Sequence, residues 1–189
     1  MLKQFDSSYA GHIDLDNVGY GGTPINDRRY PNDKLATALS KAEEMAKLMD
    51  RLGYGTFWMA EHHFQPEGTE CIPNVLLMAL HLTHITKSLR IGCGFNITPM
   101  WHPLRLAEDY AMADILSHGR VVFGVGRGYH TREVESFGTP LIDQAATASC
   151  SRSRSRSSSR HSMRKASPTR ASTTRCRPRC RIAAIRSRN

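Results

Sequence analysis

A break in composition limits what this chain can fold into more than any other feature. Residues 147–189 hold twelve arginines, one lysine and eleven serines, with no aspartate or glutamate. A segment so charged and so poor in apolar side chains cannot bury enough surface to offset the entropy of ordering it, so a disordered tail is expected there. The formal charge of +9, from 26 basic and 17 acidic residues, therefore divides unevenly, because residues 1–146 carry 13 basic and 17 acidic side chains. The mildly acidic body is one ordinary domain's worth of chain. It is well short of the roughly 250 residues of a complete α/β barrel. The expected organisation is a folded domain over 1–146 and an Arg/Ser-rich tail over 147–189.

Several classes are excluded early. No apolar run approaches the roughly 18 residues a membrane helix needs, and the first residues, Met1 to Ser8, lack the apolar stretch of a signal peptide. A cytoplasmic protein with no membrane partner is expected. Of five cysteines, Cys71 and Cys93 lie in the body, and Cys150, Cys176 and Cys180 lie in the tail at spacings that match no familiar zinc pattern. Reduced thiols are expected, without disulfides and without a metal.

From Pro31 the body alternates helical and strand-like segments. Asn32 or Asp33 can cap a helix with an apolar stripe at Leu35, Leu39, Ala42, Ala46 and Met49, and Gly53 stops it. Thr56 to Ala60 has the aromatic and β-branched content of a buried strand, and it runs into Glu61-His62-His63-Phe64. A second helix is predicted over 73–86 and a strand over 89–95. A third helix opens at Pro103, where a missing N–H does no harm, and ends near His118-Gly119. The last strand is predicted over 120–126. With Gln4-Phe5-Asp6 as the first strand, this order implies parallel strands with right-handed crossovers, about four βα units with the last helix missing. Half of a barrel and a small doubly wound sheet both satisfy it. In either, functional groups gather at the C-terminal ends of the strands. The polar residues there are Glu61, His62, His63, Asn96, Thr98 and Arg127.

Three segments, Ala60-Glu61-His62-His63-Phe64, Trp101 to Asp109 and Gly119 to Gly128, resemble in order and spacing the bacterial luciferase-like flavin-dependent monooxygenases. The likeness covers roughly residues 30–138. It implies an α/β fold, the N-terminal half of a TIM (β/α)8 barrel, and an enzyme that uses reduced FMN and dioxygen to oxygenate a small organic substrate. It also implies a separate flavin reductase as partner and a possible homodimer. Some relatives use the deazaflavin F420 for hydride transfer, and the motifs are compatible with either cofactor.

The resemblance places His62 as the active-site histidine. A neutral imidazole beside a flavin can exchange protons at neutral pH. Arg127 matches the arginine that contacts the flavin phosphate, where a guanidinium bonds bidentately. Glu61 is expected to orient a histidine, His63 to line the pocket or pack, and Asn96 and Thr98 to face the flavin ring. Glu108 and Asp109 are expected to cap the third helix or form ion pairs on it rather than to act in catalysis. His81 and His84 lack the partners of a metal site. Gly19 to Pro24 reads as a loop over the barrel mouth. Gly124-Val125-Gly126-Arg127-Gly128 is no dinucleotide loop, because the third glycine of that motif would fall at Tyr129 and no helix is evident after it.

The tail admits two readings. Taken literally, an Arg/Ser run binds nucleic-acid phosphates through charge, though no aromatic residues interleave the arginines for base stacking. Alternatively, TCN serine codons and AGR arginine codons read one base earlier become codons for Phe, Ile, Leu or Val and for Glu, Gln or Lys. Permitted codons from Ser149 to Ser162 then spell an amphipathic helix, the element due after the fourth strand. On that reading residues 147–189 are a frameshift product. The chain is then a truncated enzyme with little turnover.

Overall fold

The computed structural model describes residues 4–138. The tail expectations for 147–189, including Cys150, Cys176 and Cys180, lie outside the described residues. Within them the strands are β1 (Asp6–Tyr9), β2 (Thr56–Met59), β3 (Arg90–Cys93), β4 (Asn96–Ile97), β5 (Val121–Val122) and β6 (Val125–Gly126). The α-helices are α1 (Asn32–Leu52), α2 (Val75–Ile85), α3 (Pro103–Leu116) and α4 (Thr131–Ser136).

Strands β1, β2, β3 and β5 form one parallel sheet in chain order, and β4 pairs in parallel with β6. A doubly wound sheet reverses its strand order at a switch point. Here the order advances without reversal, so the two readings left open by the periodicity resolve to an arc of a barrel. Among the described residues, β1 and β5 each pair on one edge only.

Side chains alternate across the sheet. Tyr9, Phe57, Met59, Ile91 and Cys93 face the helices and join Ala42, Ala46, Met49, Val75, Ala79, Leu82 and Ala113 in one buried cluster. At about 25 cal/mol per Å² of apolar surface buried, this cluster is the main source of stability. On the other face Trp58 lies over Gly92, where an added Cβ would come within 2.2 Å of the indole. No helix among the described residues is long and apolar enough to cross a membrane.

The structure shifts several boundaries. The first strand begins at Asp6 rather than Gln4, because burial selects Tyr9 and leaves Phe5 exposed, while Asp6 Oδ1 accepts the Thr56 N–H at 2.9 Å. Helix α1 starts after Pro31 with no side-chain cap, and its buried row is Ala38, Ala42, Ala46 and Met49. Leu39 faces out in place of the expected stripe, since the small alanines let α1 close on the sheet. Helix α2 begins at Val75, not residue 73, where Asn74 Oδ1 accepts the Leu77 N–H at 2.8 Å. The strand predicted over 89–95 ends as β3 at Cys93, with β4 starting beyond it at Asn96, and the strand predicted over 120–126 is broken between Val122 and Val125. Gly124 shows why the break packs, as a Cβ there would fall 1.9 Å from the Cys93 carbonyl oxygen. Finally, a helix does follow the fourth unit. The short α4 corrects the expectation that none would.

Candidate functional site

The C-terminal ends of β2, β4 and β6 converge on a network of carboxylates and histidines. Glu61, two residues past β2, is 1% exposed and is fully engaged. Its Oε2 accepts the Asn96 amide N–H at 2.7 Å and the Ile97 backbone N–H at 3.0 Å. Its Oε1 accepts the Trp101 indole N–H at 2.8 Å and faces His63 Nε2 at 3.1 Å. Glu61 therefore ties β2 to β4 and orients a histidine, and the histidine it orients is His63. His63 in turn packs its ring against Phe137, with centroids 4.9 Å apart.

His62 has a different orienting group. Its Nδ1 lies 3.1 Å from Glu133 Oε1, which also accepts the His63 backbone N–H at 2.8 Å and the Gln65 side-chain amide at 3.2 Å. An ionised carboxylate only accepts, so Nδ1 carries the hydrogen and Nε2 is left for other chemistry. Nε2 faces Glu70 Oε1 at 3.3 Å, and Glu70 Oε2 lies 3.3 Å from His130 Nε2. Burial by itself would lower the His62 pKa, but the hydrogen bond to Glu133 and the charges of Glu70 and Glu61 outweigh it and raise the value. Burial would raise Glu133, and His62, the His63 N–H and Gln65 outweigh it and hold the carboxyl below its usual range.

Helix α4 exists to deliver Glu133. Gly128 turns the chain at φ +75°, in the left-handed region, where a Cβ would also meet Ile97 at 2.6 Å. The helix is then clamped to the β2–α2 loop, since Arg132 donates to both oxygens of buried Glu67 at 2.8 and 3.0 Å and to the Phe64 carbonyl at 2.6 Å. With six residues and a backbone turn before it, α4 has nothing in common with the long helix of a dinucleotide loop.

The other expected residues separate into two groups. Asn96 and Thr98 are fully buried. The Asn96 amide is held between Glu61 and the Tyr110 hydroxyl, and Thr98 Oγ1 donates to the Gly126 carbonyl at 3.1 Å. Arg127, directly after β6, is exposed. Away from the strand ends, Glu108 and Asp109 pair with Arg105 at 3.0 and 3.4 Å, and His81 pairs with Glu43 at 2.9 Å across α1 and α2. In the β1–α1 loop, Gly19 to Pro24 forms a hydrogen-bonded turn, with the Thr23 carbonyl held by Arg28.

Sequence reasoning did not find Glu70, His130 or Glu133. The available signal was positional, because Glu70 shares the β2–α2 loop with His62, and His130 and Glu133 follow the end of β6. An open pocket of about 300 Å³ reaches His62 and Glu70 between Leu35, Phe64 and Cys71. A larger groove of about 890 Å³ lies over the outer faces of α1 and α2 by Leu39, Leu77 and His81, remote from this chemistry. Around the strand ends an exposed guanidinium at Arg127 and exposed rings at Phe64 and Tyr129 suit in kind an anionic, aromatic cofactor.

Residues 22–149 match the sequence profile of a family described as luciferase-like monooxygenase. The alkanal monooxygenase alpha chain of Photorhabdus luminescens is 30% identical over 120 residues, which is 64% of this chain and 33% of that one. The oxygenase component of the flavin-dependent trigonelline monooxygenase of Acinetobacter baylyi is 38% identical over 92 residues, 49% of this chain and 25% of that one. This chain thus spans about a third or less of these relatives' length. In three dimensions it is similar to the EDTA monooxygenase of Chelativorans sp. BNC1, with a TM-score of 0.63 at 14% identity over 82% of this chain and 37% of the other. It is also similar to the oxygenating constituent of 3,6-diketocamphane monooxygenase of Pseudomonas putida, solved in complex with FMN, with a TM-score of 0.61 at 19% identity over 70% and 36%. These two likenesses bear on the fold.

Proposed function

Because this chain belongs to the luciferase-like monooxygenase family, we propose that its strand-end network is the histidine side of a flavin-dependent oxygenation site. The observation that carries this reading is the pairing of His62 with Glu133, 71 residues apart in sequence. It fixes one tautomer of a buried imidazole and turns Nε2 toward an open pocket.

A bound reduced flavin supplies the electrons with which dioxygen is activated. The chain's own residues do the rest. His62 Nε2 would accept or return a proton, and Glu133 would keep the ring in place while it did so. Arg127 would hold the cofactor phosphate, and Phe64 and Tyr129 would offer ring surface to it. Glu61, Asn96 and Thr98 support the site from beneath by joining β2, β4 and β6. The trigonelline enzyme's description as an oxygenase component supports a separate reductase as the source of reduced FMN. The substrate is a small organic molecule.

The family match ends at residue 149, where the Arg/Ser composition begins. This coincidence supports the frameshift reading of 147–189. The test is titration of the full chain with FMN, followed by oxygen uptake with chemically reduced FMN, beside a version in which one base is restored at codon 147. Binding and uptake should be strong in the restored protein, weak in the chain as given, and lost in uptake but not in binding on His62→Ala. Equal uptake with and without His62 would remove the assignment.

A further inference from the structure

We propose that His62, Glu70 and His130 form a binding site for a divalent transition metal, with zinc as the best-matched ion. The sequence offers no hint of it, since the three residues lie eight and sixty positions apart. Folding brings their ligating atoms within 4.8 Å of one another.

His62 gives its Nδ1 hydrogen to Glu133, so the neutral ring has a lone pair on Nε2. Glu70 Oε1 faces that nitrogen from 3.3 Å, so either a proton or a metal ion lies between them. On the other side Glu70 Oε2 meets His130 Nε2 at 3.3 Å. At each contact a proton on the imidazole can bridge to the carboxylate, and a metal ion that displaces those protons would be held by the same three residues. Zinc bonds of about 2.0–2.1 Å in a tetrahedral arrangement set ligand atoms roughly 3.3–3.4 Å apart. The two observed separations already match that spacing, and His130 is only partly buried.

Three further features fit a metal. Two imidazoles and a carboxylate are a ligand set that zinc takes when it keeps a fourth position open, and the 300 Å³ pocket beside His62 and Glu70 supplies access to that position. Glu133, 1% exposed, holds the non-ligating nitrogen of His62, the outer carboxylate that orients metal-bound histidines. The local charge is also negative, as Glu61, Glu70 and Glu133 surround the histidines and the nearby Arg132 is committed to Glu67. A metal on Nε2 and a proton on Nε2 exclude each other, so zinc would silence His62. The inference is independent of the flavin reading, because binding is measured without flavin or turnover.

The experiment uses the full chain, stripped with chelator and free of flavin. Equilibrium dialysis against zinc should give one tightly held ion per chain, and cobalt should give the intense visible bands of a four-coordinate site. Glu70→Gln and His130→Ala should each weaken zinc binding at least tenfold. Glu133→Gln should weaken it about 10–100-fold. His81→Ala should leave it unchanged. X-ray absorption of the zinc-loaded wild type should show imidazole and oxygen ligands with no sulfur, a readout that no variant's folding can confuse. Absence of tight binding, a sulfur shell, or an affinity untouched by both Glu70→Gln and His130→Ala would overturn the proposal.

Discussion

The helix-facing side of the sheet and the rim at its C-terminal ends both rest on deeply buried side chains, yet they are held by different physics. Beneath the helices, Phe57, Met59, Ile91 and Leu82 are buried among other apolar side chains, and what matters is volume. At the rim, Glu61, Glu133, Asn96 and Thr98 are as deeply buried, and among the described residues no buried side-chain polar atom lacks a partner. What matters there is the identity of each donor and acceptor. The comparison teaches that the rim is less tolerant of chemical change than the core is, because a wrong-sized core residue leaves a gap while a missing rim carboxylate orphans several donors at once.

The sharpest way to break the contrast is Glu61→Ala. It strands the Asn96 amide, the Ile97 N–H and the Trp101 indole, and at about 1–3 kcal/mol for each orphaned group the loss is roughly 5 kcal/mol. That is comparable to the whole stability of many domains, so urea unfolding should find the variant largely unfolded, with Glu61→Gln intermediate. Phe57→Ala should follow at about 3–5 kcal/mol through transfer and cavity terms. If Glu61→Ala unfolds in urea no earlier than Phe57→Ala, the rim is not the stricter region. Arg132→Ala removes the clamp on α4 and should lower stability by about 2 kcal/mol. Its more telling effect is on His62, whose ring resonances in NMR should shift toward those of Glu133→Gln.

The smallest expected effect concerns a carboxylate far from the rim. Burial alone would raise the Asp50 pKa, but the backbone N–H groups of Lys87, Ser88 and Leu89 and the Ser88 hydroxyl hold it at about 2. A carboxyl depressed in the folded state contributes stability above its unfolded pKa of about 3.9, and that contribution is lost as pH falls toward the folded value. Stability should therefore drop by about 1 kcal/mol, after solvent screening, between roughly pH 4 and pH 2. Asp50→Asn should flatten the slope in that window, and an unchanged slope would locate the acid sensitivity at the rim instead.

Legibility in the sequence followed the range of each interaction. The order of strands and helices was readable because it depends on local periodicity and on punctuation by Gly53 and Pro103. The row Ala38, Ala42, Ala46 was misread by one position at Leu39, since close helix–sheet approach favours small residues over the larger ones that a hydrophobicity pattern selects. His62 stood out through its neighbours in a motif. Glu133 did not, because a single glutamate in a six-residue helix has no local mark of importance.

The sequence by itself determined that this chain builds βα units up to a strand ending near Gly126, that its histidine pair sits at a strand end, and that its composition changes character at Thr147. Those properties reside in side-chain type and spacing along a short stretch. The family resemblance already implied a barrel arc, whereas the tertiary structure alone decided that Glu61 serves His63 while Glu133 serves His62, and that Glu70 stands between two imidazoles. Such pairings join residues tens of positions apart, and they are chosen by the packing of α4 and the β2–α2 loop against the strand ends, where a buried charge is tolerated only beside a partner.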